Sequence, residues 1–403
     1  MSIITPTRTP VPGTDMLAPD LQELARRVRD FADEVVAPAA YAYDTERRLP
    51  VEIIREMGRM GLFGLPLPEE YGGQGLSYLH LCVAVEQLAR VDQSIAVTLE
   101  AGVGLGAMPI HRFGTDEQRR AHLPALARGE GLAAFGLTEA EAGSDAGGTR
   151  TTAVLSDGWW TIDGTKQFIT NSGSPLTRIV TVTAVTGERI DDDGARRPEL
   201  STIIVPVPTP GFTALPAYDK VGWHTSDTHP LVFEGVRVPE GNLLGERGRG
   251  FANFLSVLDE GRVAFAALCV GVAQGCLEQA VLHARRRVVF GRPIGDNQHI
   301  AFTIARMQAR VASARAVMHE AARRLDLGMP FTTEASLAKL VASEAAVANA
   351  GDATQIWGGY GFMNENPVAR HYRDARVLTL GEGSTEVQLG VIARSLGFAR
   401  AFG

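Results

Sequence analysis

The feature that most constrains the fold is a double change of hydrophobic period along the chain. From about residue 20 to 129 apolar residues recur at helical spacing. From about 133 to 238 short alternating or β-branched runs are cut by turns, and after about 248 the helical spacing returns. A period of 3.6 buries one stripe of a helix and a period of two buries one face of a strand. The order therefore predicts an α+β chain, mainly α. It begins with a flexible arm over 1–18 and an N-terminal helical domain over 19–130. A small β-barrel or sandwich follows over 131–243, then a C-terminal four-helix bundle over 244–403. At 403 residues the chain has room for two or three packed subdomains.

Within this plan, Leu21, Leu24, Ala25, Val28, Phe31, Ala32 and Val35 define one apolar helix face. Pro50 opens a second helix through Met60. Gly72, Gly73 and Gly75 break the chain before a third around 78–88. The apolar stretch 95–113 reads as a buried helix whose glycines permit close approach of another backbone or a ligand. In the middle third, 151–155 and 159–162 are strands joined by a turn at Asp157-Gly158. A second turn is expected at Asp163-Gly164 before a strand over 166–170. Further strands are expected over 179–185, 201–206 and 231–238, with an exposed charged loop over 187–198. Long helices are expected over 251–289, 300–327 and 332–357, and a shorter one over 384–399. No solenoid repeat is present.

Acids and bases interleave to a net charge of -7, which offers no basic stripe for nucleic acid. The densest basic cluster, Arg285 to Arg287, reads in its first two members as a solvated helix face. Cys82, Cys269 and Cys276 have neither metal nor disulfide spacing. They read as buried thiols suited to a reducing, cytoplasmic setting. No unbroken run of about 18 apolar residues exists, so membrane insertion is not expected. The first 19 residues, rich in Thr and Pro, read as a frayed arm without a signal-peptide core. Nine scattered histidines form no metal-binding pair, and neither a G-x-S-x-G elbow nor a strand-borne G-x-G-x-x-G is found.

The segment from Phe135 to Asp145, F-G-L-T-E-A-E-A-G-S-D, stands where helix gives way to strand. It offers the Thr138 and Ser144 hydroxyls, a flexible Gly143 and consecutive backbone N–H groups. Such a loop can cradle a flavin edge or a pyrophosphate; it also reads as a polar turn capped by Ser and Asp. Gly358 and Gly359 read as a helix C-cap. Glu382 lies between two glycines and is sterically free to face a substrate; it also reads as an acid at a helix N-terminus.

Taken in order, these segments resemble the signatures of the acyl-CoA dehydrogenases, a family of FAD-dependent flavoenzymes. The 135–145 segment is similar to the family's T-E-P-x-A-G-S-D run, with Ala140 in place of proline. Gly164 to Asn171, G-T-K-Q-F-I-T-N, resembles a second signature. Lys220-Val221-Gly222 with Ser226-Asp227-Thr228 resembles the loop that closes the β domain. Further matches are R-V-V-F-G-R-P-I from Arg287 with Gln298, Q-I-W-G-G-Y-G from Gln355, and R-D-A from Arg373 followed by G-E-G-S-T-E-V-Q from Gly381.

The resemblance implies that Phe135, Leu137, Thr138, Gly143, Ser144, Phe168, Ile169 and Thr170 line the FAD, with Phe168 covering the isoalloxazine. Taken alone, Phe168 reads as core. It implies that Gly358 belongs to the glycine-rich turn at the adenosine end, and that Arg287, Phe290, Gln298, Gln355 and Gly359 reach the FAD of a neighbouring subunit in a homotetramer built as a dimer of dimers. Arg287 would do so as a bidentate fork. Ser384 and Glu386 belong to the same cofactor set. Glu382 matches the α-proton base. Ser144, Gly383, Asp259 and Arg262 fall on the substrate side, the last two at the CoA part. Glu100 falls at the floor of the acyl cavity or faces solvent. Some branched-chain members carry the base directly before the helix arginine. That place here is Gly261, and Glu260, one residue off, points about 100° away.

The implied reaction converts an acyl-CoA to a trans-2-enoyl-CoA, as in the β-oxidation of fatty acids. Glu382 takes the α-proton, FAD N5 takes the β-hydride, and an electron-transfer flavoprotein takes the electrons. Gly381, where straight-chain members often carry tyrosine, implies tolerance of a branched or medium-length acyl group. The residues after Arg90-Val91-Asp92 lack the arginine of a dicarboxylate-specific relative.

Overall fold

The computed structural model describes residues 16–190, 194 and 196–398. Most of the arm expected over 1–18, and residue 399 of the last expected helix, lie outside them. Helices α1 (Pro19–Phe31) and α2 (Ala37–Glu46) are joined by a π-helical turn, Ala32–Val36. Leu21, Leu24, Ala25, Val28, Phe31 and Ala32 are buried as their spacing predicts. Val36 then takes the core position expected of Val35, which is 42% exposed. A π turn closes i→i+5 and advances the buried face by one residue, which a 3.6 period does not anticipate.

Helix α3 (Val51–Arg59) starts after Pro50, and α4 (Tyr78–Ala89) follows the glycine-rich break. The apolar stretch expected as one helix is divided. It consists of α5 (Gln93–Glu100), a second π segment (Ala101–Ala107) and α6 (Met108–Phe113), followed by α7 (Asp116–Ala127). The backbone of the sheet domain comes close here. A Cβ on Gly106 would lie 2.7 Å from the Ala133 carbonyl oxygen.

The sheet domain comprises β1 (Leu132–Gly136), β2 (Thr152–Ser156), β3 (Trp159–Thr170), β4 (Thr177–Ile190), β5 (Arg196–Pro206), β6 (Phe212–Ala214), β7 (Thr228–Pro239) and β8 (Leu243–Leu244). They form one sheet in the order β6-β7-β3-β2-β4-β5-β8, with β1 parallel to β4. It has its own core around Trp160, Ile162, Val182, Ile203 and Phe233. Asp157 and Gly158, at φ 51° and 76°, make the two-residue turn between β2 and β3.

Two expectations are corrected. Asp163-Gly164 is no turn. Strand β3 runs through it, its register against β7 slips between Ile162 and Gly164, and the Asp163 carboxylate accepts the Gly235 N–H at 2.7 Å. The dipeptide makes a bulge because β7 pairs on both sides of it. Nor is 187–198 a loop throughout: Glu188, Arg189 and Ile190 pair with Pro198, Arg197 and Arg196. Its polar side chains reflect an exposed ladder, not an absence of pairing.

The C-terminal third begins with α8 (Gly250–Arg286) and a small ribbon, β9 (Val288–Val289) with β10 (Arg292–Pro293). Helices α9 (Gln298–Asp326), α10 (Thr332–Trp357), α11 (Pro367–Ala375) and α12 (Thr385–Ser395) follow. Helix α11 had no counterpart among the expected elements. Helix α8 packs on α4, α9 and α10. By length and composition α8 could cross a membrane, yet 78% of its apolar window is buried in the protein, as suits a core helix. Cys82, Cys269 and Cys276 are buried free thiols on α4 and α8.

Candidate active site

The loop between α11 and α12 presents Glu382 at φ 52° and Gly383 at φ 90°. A glutamate in the left-handed region persists only where its surroundings hold it. Here the hold comes from two buried side chains. Gln388 Nε2 donates to the carbonyls of Glu382 (3.2 Å) and Gly383 (3.0 Å), and Lys339 Nζ donates to that of Gly383 (2.8 Å). Ser384 caps α12 by accepting the Val387 N–H, and Glu386 stands exposed in its first turn. Sequence reading missed Lys339 and Gln388. The available signal was a lone lysine within an Ala- and Ser-rich helical stretch.

The Glu382 carboxyl faces α8 at Gly261, where a Cβ would lie 3.0 Å from its Oε2 and 2.9 Å from Leu105 Cδ2. On the other side stands Glu100, the last residue of α5. It is fully buried and within hydrogen-bonding reach of Glu382, so it is not a solvent-facing acid. Tyr78 closes this corner. A Cβ on Gly104 would lie 3.1 Å from its hydroxyl and 3.5 Å from Glu100 Oε1, and the hydroxyl donates to the Glu260 carbonyl at 3.0 Å. Burial raises the pKa of both carboxyls. For Glu382 the Glu100 hydrogen bond, Lys339 and Arg262 oppose the rise, whereas for Glu100 the neighbouring Glu382 adds to it.

Glu260 does point elsewhere, pairing with Arg112 at 2.6 Å; burial pushes its carboxyl up to about 7. Asp259 and Arg262 pair with each other at 2.6 Å, and the Thr332 hydroxyl donates to Asp259 at 2.7 Å. Arg90 pairs with Asp33 and Glu278 and Asp92 caps α5, so the R-V-D run serves helix packing.

The cofactor candidates fall into two separate groups. In the first, Phe168 is not core: it sits at φ 61°, is 65% exposed, and has its ring 5.2 Å from that of Tyr218. The register slip between Lys166 and Ile169 turns it outward, while the Ile169 side chain enters the sheet core. Buried Lys166 ties the first motif to this strand through the Leu137 carbonyl (3.1 Å) and Glu139 (2.7 Å). Burial lowers this lysine to about 8, against the pull of Glu139. Phe135 packs on Phe254 at 4.0 Å, Thr138 and Thr170 are half-buried, and Gly143 and Ser144 are exposed. An exposed Gly143-Ser144 pair, the half-buried Thr138 and Thr170 hydroxyls and an out-turned aromatic ring fit a flavin.

In the second group, Arg287, Gly358 and Gly359 line a cleft of about 510 Å³ with His283, Trp357 and Tyr360. Phe290 is fully exposed at φ 52°, and Gln298 and Gln355 are exposed nearby in sequence. None of the first group lines this cleft. The loop around Lys220 is closed by Lys220 Nζ, which donates to the Ser226 carbonyl (2.7 Å). It is clamped from α11 by Asp374, which accepts the Trp223 N–H at 2.7 Å. Burial and Asp92 push Asp374 up to about 7.

The chain matches the acyl-CoA dehydrogenase N-terminal domain over residues 18–130, the middle domain over 134–236 and the C-terminal domain over 248–397. It is 41% identical over 382 residues to the short-chain specific acyl-CoA dehydrogenase of Megasphaera elsdenii, covering 93% of this chain and 97% of the other. The structure of butyryl-CoA dehydrogenase from the same organism superposes with a TM-score of 0.90 at 40% identity, over 94% of this chain and 98% of that one. A chain in a structure described as the electron transferring flavoprotein of Acidaminococcus fermentans superposes at 0.89 with 38% identity, over 94% and 98%.

Proposed function

The chain belongs to the acyl-CoA dehydrogenase family, FAD-dependent oxidoreductases acting on CH–CH groups, and from that premise we propose that Glu382 takes the α-proton of a short acyl-CoA. The observation that carries this is the Glu382 carboxyl itself: on a half-buried residue but with Oε2 sealed from solvent, held in a left-handed backbone, and facing a wall left bare at Gly261.

Forming a 2,3-double bond removes a proton from Cα and a hydride from Cβ. The chemistry FAD supplies when bound is acceptance of that hydride, which no side chain provides. Phe135, Leu137, Thr138, Gly143, Ser144, Phe168, Ile169, Thr170, Ser384 and Glu386 would hold it, Ile169 through its backbone. Glu382 does the proton work. Burial strengthens it as a base, because the ionised form gains least where water is excluded. Its own backbone N–H donates to the thioester oxygen as negative charge develops there. Arg262 and Asp259 meet the CoA part.

The acyl group is read as short. Tyr78 and Glu100 narrow the pocket beside the base, which supports a short chain more than a medium-length one, and a relative of this size is named for short chains. Gly381 leaves room for a branch. A dicarboxylate tail would find no positive charge at Glu100, and Arg90 is engaged elsewhere. Electrons leave to an electron-transfer flavoprotein; the likeness to the Acidaminococcus structure supports this. The separation of the two cofactor groups supports a homotetramer in which Arg287, Phe290, Gln298, Gln355, Gly358 and Gly359 complete a neighbour's FAD site. Buried thiols support a reducing, cytoplasmic setting.

Anaerobic titration of the holoenzyme with butyryl-CoA tests the base. The flavin bleaches in the wild type and not in Glu382→Gln, which keeps the shape and loses the proton acceptor. A positioned base is worth about 10²–10⁴-fold. Normal bleaching in the variant would place the base elsewhere.

A further inference from the structure

We propose that Glu100 and Glu382 hold one proton between them, Glu100 being the neutral acid that donates to the Glu382 carboxylate and positions it. This rests on Glu382 as the base. Glu100 is fully buried, and neither of its oxygens, nor Glu382 Oε2, has a hydrogen-bond partner among the described residues. The two carboxyls nevertheless meet at the Gly104–Gly261 contact, where a Cβ on Gly104 would lie 3.5 Å from Glu100 Oε1 and 4.0 Å from Gly261 Cα, and one on Gly261 3.0 Å from Glu382 Oε2. Two ionised carboxylates so placed repel in a dry site and leave three acceptor oxygens unsatisfied. One shared proton turns an acceptor into a donor, removes the repulsion and satisfies two of the three oxygens.

The surroundings decide which residue keeps the proton. The titratable and charged groups around the pair are Tyr78 and Cys82 on α4, Glu260, Arg262 and Cys269 on α8, and Lys339 on α10. Lys339 and Arg262 favour the charge on Glu382, and among the described residues no cation acts on Glu100. The Tyr78 hydroxyl is spent on the Glu260 carbonyl, and the Glu260 carboxyl is turned to Arg112. The negative charge therefore settles on Glu382 and the proton on Glu100. During the reaction the Cα proton moves to Glu382 and its bonding electrons stay on the substrate. The pair then holds two protons, and no bond to Glu100 forms or breaks beyond its hydrogen bond.

The test compares holoenzymes of the wild type, Glu100→Gln and Glu100→Leu. The first readout is the rate of flavin reduction by butyryl-CoA across pH. Glutamine keeps a neutral donor, so its acid limb stays with the wild type. Leucine strips the donor from a still-buried Glu382, so its limb moves to higher pH and the rate near the limb falls about 10-fold or more. If Glu100 were ionised instead, both variants would remove a negative charge and both limbs would move to lower pH, overturning the proposal. The second readout does not depend on activity. At neutral pH the wild type shows an infrared carboxylic-acid band that Glu100→Gln lacks; no difference between the two overturns the shared proton. Glu382→Gln runs in the same series. Its retaining flavin reduction would overturn the base, while the infrared comparison of the wild type with Glu100→Gln still reports on the pair.

Discussion

Gly261 and Glu382 compete for one place: a Cβ on Gly261 would stand 3.0 Å from Glu382 Oε2. One position lies on the long core helix and the other on the loop before α12, yet both look into the same few cubic ångströms. An acid can enter that space from either side, and here it enters from the loop. The bare glycine is therefore part of how Glu382 is seated.

Gly261→Ala is expected to push on both Glu382 and Leu105, whose Cδ2 would lie only 2.9 Å from the new Cβ. Misplacing a reacting group by an ångström can cost about 10²-fold. The variant should keep its FAD and its fold and reduce its flavin at least about 10-fold more slowly in stopped-flow. A rate equal to wild type would show that the site has slack.

Gly381 behaves differently. A Cβ there would meet the Phe265 ring and the Val377 carbonyl oxygen at 3.7 Å, ordinary contacts, so a Cβ fits without strain. Gly381→Tyr should fold, keep turnover of butyryl-CoA, and lose more with isobutyryl-CoA. Equal losses for both substrates would show that position 381 does not set branching.

Arg287→Ala should weaken FAD retention by about 10- to 100-fold, as expected for a lost charge-assisted pair, although Arg287 lies far from Glu382's loop in sequence. Light scattering on the wild type should give a tetramer. A monomer carrying full flavin would remove the shared site.

The raised carboxyls also set the pH dependence. Glu382 accepts a proton only when ionised, and its pKa is raised, so flavin reduction should fall as pH falls through a limb above the ordinary carboxylate value of 4.5. The stability consequence has the same origin and a definite sign. Between the unfolded value and the raised folded value, the folded state binds more protons, so stability is greatest below 4.5 for these groups and is lost as pH rises. Glu100→Gln should lose less thermal stability than wild type between pH 5 and 8; parallel curves would mean that Glu100 carries no such proton.

The sequence by itself determined the order of helices, sheet and helices, the hairpin at Asp157-Gly158, the buried thiols and the run of family signatures ending at Glu382. These are local: a period, a turn dipeptide or a spaced motif is written in consecutive residues. What failed was also instructive. Val35 and Val36 exchanged places because one π turn reset the helix face, and Asp163-Gly164 became a bulge because β7 pairs across it. Phe168 reads as core by composition and is turned out by a register slip. The meeting of Glu100 with Glu382, the bare wall at Gly261, the Lys339 and Gln388 ties beneath the loop, and the separation of the two cofactor groups were decided only by the tertiary structure. Each joins residues far apart in the chain. Whether two such side chains touch depends on how whole helices pack, and no local pattern of residues encodes that distance.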